Sequence, residues 1–409
     1  MKRIAIIGGG ASGLMAAVTA AESEDCEIFL LEKQQRVGRK ILSTGNGRCN
    51  LTNTDMKKSR YHGTGSDLAW ELICGFGPKE TLGFFRRYGL ITVEEPGGRV
   101  YPFSDKANSV LDVLRAAVNR NNIHIICGAD IAQIRYSEGQ FSIVFTDGSG
   151  KEQSVTADRL AVCCGGTAQP KLGATRDGYS ILTTFGHSLI EPHPSLVRLT
   201  CRREDIKGLK GVRQDCAVTL LDRNGKILAG KTGEVQFTEN GLSGPCIFDL
   251  SRYVSTSNGK KSALLDLMPE MSHKEAVRYI ENKKKVFPDT LSEELFTGMF
   301  HSRVGLAVVA KAGIRSRRKL GDLSEREVSS LADAVKSYEV REIAAEGMAE
   351  AQVAAGGIDV REFTDRLESR KAKGLFAAGE VLDVDGDCGG YNLQWAWTSG
   401  HVIGKAMSE

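Results

Sequence analysis

This 409-residue chain has no C-x-x-C pair, no apolar run of membrane-spanning length and almost no charge imbalance. Its ten cysteines stand at 26, 49, 74, 127, 163, 164, 201, 216, 246 and 388, and none clusters with histidine at metal-ligand spacing. That excludes a dithiol relay and predicts no metal site. Cys26, Cys127, Cys163 and Cys164 lie in or beside apolar runs, where a free thiol behaves as a small hydrophobe, so a reduced, cytoplasmic compartment without disulfides is expected. No apolar stretch nears the roughly 18 residues a bilayer span needs, and the first apolar run starts too early for a signal peptide. No membrane partner is expected. The formal charge is +3, too small to imply a polyanionic partner. The densest basic run, Arg315-Ser316-Arg317-Arg318-Lys319, has no interleaved aromatics and reads as a solvated helix end. Nucleic acid is therefore not expected.

What is present begins at once. The apolar run Ile4-Ala5-Ile6-Ile7 leads into Gly8-Gly9-Gly10-Ala11-Ser12-Gly13 and then into a small-residue helix. The spacing Gly8-x-Gly10-x-x-Gly13 allows a tight turn, close approach of backbone to a pyrophosphate, and close helix–strand packing. The helix N-terminus turns free N–H groups toward the phosphates. Nineteen residues past Gly13 stands Glu32, at the end of a second apolar run, where an acid accepts bonds from a ribose diol. A long polar connection follows, from Lys33 through Arg39, Lys40, Gly45, Arg48, Cys49 and Asn50 to Asn53. Its glycines, cations and amides suit a loop that wraps a polar ligand, with Arg39, Lys40 and Arg48 balancing pyrophosphate charge.

Further along, residues 66–90 and 110–119 show helical spacing, 123–127 a parallel strand, and 131–155 a β-meander. Leu160-Ala161-Val162-Cys163-Cys164 reads as a strand buried on both faces, ending at Gly165-Gly166. Past about residue 190 short alternating runs predict a small antiparallel sheet or barrel. Helices follow between Pro269 and Val335, with capping boxes at Ser272/Glu275 and Ser324/Glu327. Tyr338–Ile343 and Ala351–Ala355 return to the sheet. The insert contains no second glycine fingerprint. At the far end, Leu375–Ala378 runs into Gly379-Glu380. A loop carrying Asp383, Asp385 and Asp387 follows, then Gly389-Gly390 and a helix from Tyr391. The three aspartates fail the EF-hand pattern, because no Glu occupies the twelfth position.

A glycine loop near each terminus implies that both ends share one sheet and grip one long ligand across its carboxyl edge. NAD needs only the first loop. Flavin adenine dinucleotide needs both, with Glu380 accepting from a ribityl hydroxyl and the N–H groups near Asn392 and Leu393 facing the flavin pyrimidine oxygen.

The stretches IAIIGGGASGLMAA, GRKILSTGNGRCNLTN, GLSGPCIFDLSR, AQVAAGGI and GLFAAGEVLDVDGDCGGYNLQWAWTSGH resemble, over nearly the whole chain, a bacterial family of FAD-dependent oxidoreductases. That family includes aminoacetone oxidase and the bile-acid (3-dehydro-bile acid) enone reductases. One departure stands after the ribose acid, where a glycine doublet is replaced by Arg36-Val37-Gly38-Arg39. The resemblance implies an α/β, Rossmann-like FAD-binding domain built from both chain ends, with an inserted β-barrel and a helical subdomain. The corresponding divisions are 1–190 and 356–409 for the FAD domain, 191–267 and 336–355 for the barrel, and 268–335 for the helices. It also implies that Arg39, Lys40, Arg48, Asn50 and Leu51 lie along FAD and that Ile131 offers backbone to the adenine. Taken together, the predicted cofactor contacts are Gly8, Gly10, Ala11, Ser12, Gly13, Glu32, Lys33, Arg39, Lys40, Gly45, Arg48, Cys49, Asn50, Leu51, Ile131, Gly165, Gly166, Gly379, Glu380, Gly389, Gly390, Tyr391, Asn392 and Leu393. The expected function is hydride transfer between a small organic substrate and flavin, by amine oxidation or by reduction of an activated C=C bond. NAD(P)H or oxygen would be the redox partner. The alternative class is a non-catalytic flavin-binding redox or RNA-modification accessory protein. No catalytic acid or base is assigned, Cys49, Cys388 and Tyr391 being read as packing or cofactor contacts.

Overall fold

The computed structural model describes all residues except Asn122 and Ser316, so the second residue of the basic run lies outside the described residues. Two compact units result, Met1–His193 with Gln352–Glu409, and Pro194–Ala351.

The first unit is built on a five-stranded parallel sheet in the order Leu375–Ala377, Arg159–Val162, Lys2–Ile7, Cys26–Glu32, His124–Cys127. Ala5 pairs with Leu160, and Ala161 with Phe376. The first and last strands of this sheet in chain order are thus separated by a single strand. Ile4, Ala5, Ile6, Leu160, Ala161 and Val162 are fully buried, which is why these runs are continuously apolar rather than alternating. The helix Ala11–Ala20 is buried along nearly its whole length, and the terminal helix Tyr391–Ser408 packs against it. Gly400 and Gly404, one turn apart on the same face, make that contact close. A β-carbon on Gly400 would fall 2.4 Å from the Ser12 carbonyl oxygen, and one on Gly404 2.7 Å from that of Ala16. Trp395 and Trp397, both buried, donate their indole N–H to Gly379 O (3.1 Å) and Leu51 O (2.9 Å). Each indole thereby buries its ring without stranding its N–H. Residues 66–90 form two helices, Ser66–Gly75 and Pro78–Arg87, the second opened by a proline at its first turn. The meander is present as Asp130–Ser137, Gln140–Thr146 and Glu152–Ala157.

The second unit carries a seven-stranded antiparallel sheet in the order Tyr338–Arg341, Lys261–Asp266, Arg213–Asp222, Ile227–Phe237, Gly241–Ser243, Leu199–Thr200, Ala344–Ala345. Its two edges are consecutive in the chain, separated only by Glu342 and Ile343, so the sheet curls round until one continuous segment serves both edges. Two details differ from the sequence reading. Ile227–Ala229 and Glu234–Phe237 are a single strand, Ile227–Phe237. The stretch expected to be all β also contains the helix Pro245–Ser255, which buries Ile247, Leu250, Ser251 and Val254. Their i, i+3, i+4, i+7 spacing is the helical signal that short flanking strands obscured. Both capping boxes form, with Ser272 N–H donating to Glu275 (2.8 Å) and Ser324 N–H to Glu327 (2.8 Å). In the basic run, Arg318 pairs with Glu327 and Lys319 with Asp289. Instead of re-entering the inserted sheet at Ala351–Ala355, the chain rejoins the first unit at Gln352, and Val353–Ile358 pairs with the strand that starts at Leu189.

All ten cysteines are free thiols. Among the described residues no three His, Cys, Asp or Glu side chains converge as metal ligands, and no helix is long and apolar enough to cross a membrane. The loop aspartates are used separately: Asp383 accepts from Thr64 N–H (2.7 Å), while Asp387 holds Arg60 and His62.

His401 of the terminal helix stacks on Phe76 with ring centroids 3.9 Å apart, and its Nδ1 lies 3.4 Å from Thr19 Oγ1. Burial, reinforced by Lys405, pulls its pKa down to about 4. An unfolded histidine titrates near 6.5, so the unfolded chain takes up the proton first. This contribution to stability is complete above about pH 6.5 and is lost as pH falls toward 4. Denaturation midpoints measured between pH 7 and 4 should fall more steeply for the wild type than for His401→Gln.

Candidate functional site

One elongated cavity of the first unit runs along the carboxyl ends of the parallel strands. Its wall brings together Gly8, Gly10, Ala11 and Ser12 from the first loop, Glu32, Lys33, Arg39 and Lys40 after the second strand, and Ile131. Gly165 and Gly166, Glu380, Asn392 and Leu393 complete the predicted part of the wall.

Gly8 has φ +103°, and a β-carbon there would meet Cys163 O at 2.4 Å. Only glycine turns the strand this tightly against its neighbour. The helix that starts at Ala11 has no side chain capping its first turn, so those N–H groups remain available to an anion. Nothing lies within 4 Å of a β-carbon built on Gly10; the space in front of the helix is open.

Glu32 accepts Gly9 N–H on one carboxylate oxygen and Gln34 N–H on the other, both at 2.7 Å. Burial pushes its pKa above the ordinary value against the pull of these two bonds. Each oxygen keeps acceptor capacity for a diol. Lys33 is tied to Asp130 (2.8 Å) and Asp177 (3.0 Å), and Arg39 donates to Gln34 Oε1 (2.8 Å). Lys40 and Glu380 form an ion pair of 2.7 Å across the cavity wall. Glu380 also accepts Ala354 N–H at 2.9 Å. A β-carbon on Gly166 would stand 2.9 Å from Glu380 Oε1, so the absence of a side chain at residue 166 lets the carboxylate reach its place.

Ten other predicted residues stand behind this wall or away from it. Gly13 packs the helix on the strand, with its β-carbon position 1.9 Å from Gly8 O. Gly45 (φ +55°) backs onto Asn50 N–H. Arg48 pairs with Glu95 (2.5 Å) and with Asp105, its guanidinium 4.0 Å over the Tyr101 ring. Cys49 is fully buried and its thiol is pushed up to about 12, mainly by burial. The Asn50 amide, oriented to satisfy both ends, bridges Thr52 O and Gly390 N. Leu51 bonds Val100 and Trp397 through its backbone. Gly379 N–H donates to Ser399 Oγ, Gly390 abuts Thr52 O, Gly389 lies by Asn53 and Arg99, and the Tyr391 hydroxyl donates to Asp55 O (3.2 Å).

The wall also includes residues that local patterns did not mark. Arg36 and Gln34 come from the connection already noted. Thr175 and Asp177 lie beyond Gly173, a glycine after the Gly165-Gly166 loop that could have flagged them. Gln352 and Val353 arrive only because the chain returns there from the insert. They fall in AQVAAGGI, which carried the resemblance without an assigned role. Cys163 also lines the cavity, its thiol pushed up to about 12, and burial drives that of Cys164 higher still. Neither is a thiolate nucleophile.

The open phosphate cradle, the acid with free acceptor capacity, the four cations Lys33, Arg36, Arg39 and Lys40, and a second uncapped helix start at Gly390 fit a dinucleotide longer than one loop can hold. Fold and site together define a flavin-dependent oxidoreductase whose cofactor is FAD. The chain belongs to the HI0933-like family, whose Rossmann-domain model matches residues 2–406. It is 39% identical over 415 residues, covering all of both chains, to the 3-dehydro-bile acid delta(4,6)-reductase of Clostridium scindens. The ribosomal RNA dihydrouridine synthase of Haemophilus influenzae is 27% identical, with 98% of each chain covered, and that of Escherichia coli 26%, with 96% of this chain and 95% of that one. Among solved structures, the 3-ketosteroid delta1-dehydrogenase of Sterolibacterium denitrificans shares the fold, with TM-score 0.51, 12% identity and full coverage of both chains.

Two substitutions test the cradle. Gly10→Val should destabilise the folded chain by only about 1 kcal/mol, the cost of a poor N-cap, yet abolish FAD retention. Gly13→Ala should instead lower stability by about 1–3 kcal/mol through overpacking. Thermal melts and flavin absorbance on the purified proteins distinguish them. Glu32→Gln should weaken FAD by about 1–3 kcal/mol, the worth of a charged hydrogen bond, measured by titrating FAD into apoprotein.

Proposed function

We propose that this protein reduces a carbon–carbon double bond conjugated to a carbonyl group in a small organic substrate. The observation that carries this reading is full-length identity of 39% to a reductase named for the Δ4 and Δ6 bonds of a 3-oxo bile acid. When bound, FAD supplies the hydride chemistry. The chain's own residues bind and orient it. Glu32 takes the ribose diol, and the uncapped start of the Ala11–Ala20 helix takes the pyrophosphate. The Lys40–Glu380 pair would hold its middle, and the N–H groups of the terminal helix's first turn would offer donors to its ring end. Ile7, Ile41, Leu172 and Ile181 line the same cavity and keep water from it.

NAD(P)H is the electron donor in this reading. Because the sequence holds a single dinucleotide fingerprint, the nicotinamide enters where the substrate does. The two ribosomal RNA dihydrouridine synthases support a second substrate class with the same chemistry, since the uracil double bond is also conjugated to a carbonyl. The mild net charge favours the small molecule.

The deciding experiment reduces the flavin-loaded protein anaerobically and mixes it with a 3-oxo-4,6-diene steroid, with uridine-containing RNA, or with oxygen. Rapid reoxidation by the dienone, well ahead of oxygen, is the expected result. Bleaching of the oxidised protein by a primary amine, with oxygen restoring the colour and the dienone inert, would establish an amine oxidase in its place.

A further inference from the structure

Arg99 lies in the strand Arg99–Pro102, half-buried, and among the described residues its side chain takes part in no ion pair. Glu95 stands directly across the hairpin from it, but that carboxylate is taken by Arg48 at 2.5 Å, and so is Asp105. A guanidinium removed from water without a counter-charge is costly unless a ligand supplies one. The Arg99 side chain reaches toward the second glycine loop, its Nε 3.8 Å from where a β-carbon on Gly389 would be. Asn53 holds that loop, donating to Gly389 O (2.8 Å) and Gly97 O (3.2 Å). Three residues beyond Gly389, Asn392 lines the cofactor cavity.

The same face of the hairpin continues in an apolar strip. Successive side chains on a strand alternate, so Arg99 and Tyr101 share a face, as do Glu95 and Val93 opposite them, and Phe103 and Ile91 follow immediately past the ends of the two strands. The register pairs Tyr101 with Val93, and Phe103 N–H donates to Ile91 O at 2.8 Å. Phe103 is 71% exposed, Ile91 70% and Val93 43%. Arg48 lies flat on Tyr101 between the two ends. From Arg99 to Phe103 is four residues, about 13 Å at 3.3 Å each. One face thus offers an unpaired cation at the flavin end and exposed apolar side chains at the other.

We propose that this hairpin face is the substrate-recognition surface, and that its ligand is an amphipathic carboxylate, with Arg99 pairing the carboxylate and Phe103, Ile91 and Val93 covering the apolar body. Arg99 is chosen over lysine at such a place because its planar fork meets both carboxylate oxygens. The inference rests on the reductase reading only in calling the ligand a substrate.

The test uses the flavin-loaded full chain, with decanoate, decanol and acetate as probes and calorimetry or flavin absorbance as readout. Decanoate should bind at least ten-fold more tightly than either decanol or acetate. Arg99→Met should weaken decanoate about ten-fold with flavin content unchanged, Arg99→Lys should retain part of the affinity, and Phe103→Ser should weaken decanoate without affecting acetate. Equal affinity of the wild type for decanoate and decanol overturns the proposal without any variant. So does wild-type affinity in Arg99→Met, or loss of FAD in Arg99→Met that Arg99→Lys restores, which would assign the residue to the cofactor. If no conjugated carbonyl is reduced but decanoate binds as stated, the reaction falls and the surface stands. If a carboxylate-bearing dienone is reduced by Arg99→Met with unchanged KM, the surface falls and the reaction stands.

Discussion

The close backbone contact between the first helix and the last supports everything else in the first unit. Gly400 and Gly404 leave no side chain between the terminal helix and the carbonyls of Ser12 and Ala16. The two helix starts, at Ala11 and Tyr391, therefore come to the same edge of one sheet. Parallel strands from positions as distant as Lys2–Ile7 and Leu375–Ala377 lie one strand apart. Any larger residue at Gly400 or Gly404 would push the helices apart, and with them the two ends of the cofactor cradle. Buried main chain against main chain is a packing constraint that few sequences satisfy.

That arrangement explains why the polar residues of the site fall into two groups. Glu32, Lys40 and Glu380 face the cavity, and their bonds join segments far apart in the chain; the Lys40–Glu380 pair spans 340 positions. Arg48, Asn50, Leu51 and Gly390 form a scaffold behind it, using their polar groups on one another, on Thr52 and Trp397, and on the carboxylates Glu95 and Asp105. The buried thiols Cys49 and Cys163, each pushed up to about 12, serve as small apolar side chains at the ends of strands and loops. A bound flavin would supply the redox chemistry, and the protein's part is to hold and orient it.

The relatives that this chain resembles bear names as different as a bile-acid reductase and a ribosomal RNA dihydrouridine synthase, so likeness in sequence does not by itself name a substrate. The hairpin that carries Arg99 and Phe103 belongs to the same unit and braces the scaffold behind the cavity, with Val100 O accepting from Leu51 N–H and Glu95 pairing with Arg48.

Local patterns in the amino-acid sequence were enough to place the parallel strands, the glycine turn after the first of them, the acid at the end of the second, both capping boxes and the second glycine loop. Each depends on residues within one turn or one strand of each other, where steric and hydrogen-bonding rules act directly. The helix Pro245–Ser255 was also written locally, but in spacing that neighbouring strands masked. Which cations face the cavity was decided only by the tertiary structure. Arg39, Lys40 and Arg48 look alike in sequence, and Arg48 turns away because Glu95 and Asp105, brought in by a distant hairpin, offer it carboxylates at closer range. Gln352 and Val353 likewise reach the wall through the path of the whole insert. The charge left over at Arg99 appears only when all these pairings are made, because an ion pair is a property of two positions in space and no single stretch of chain contains both.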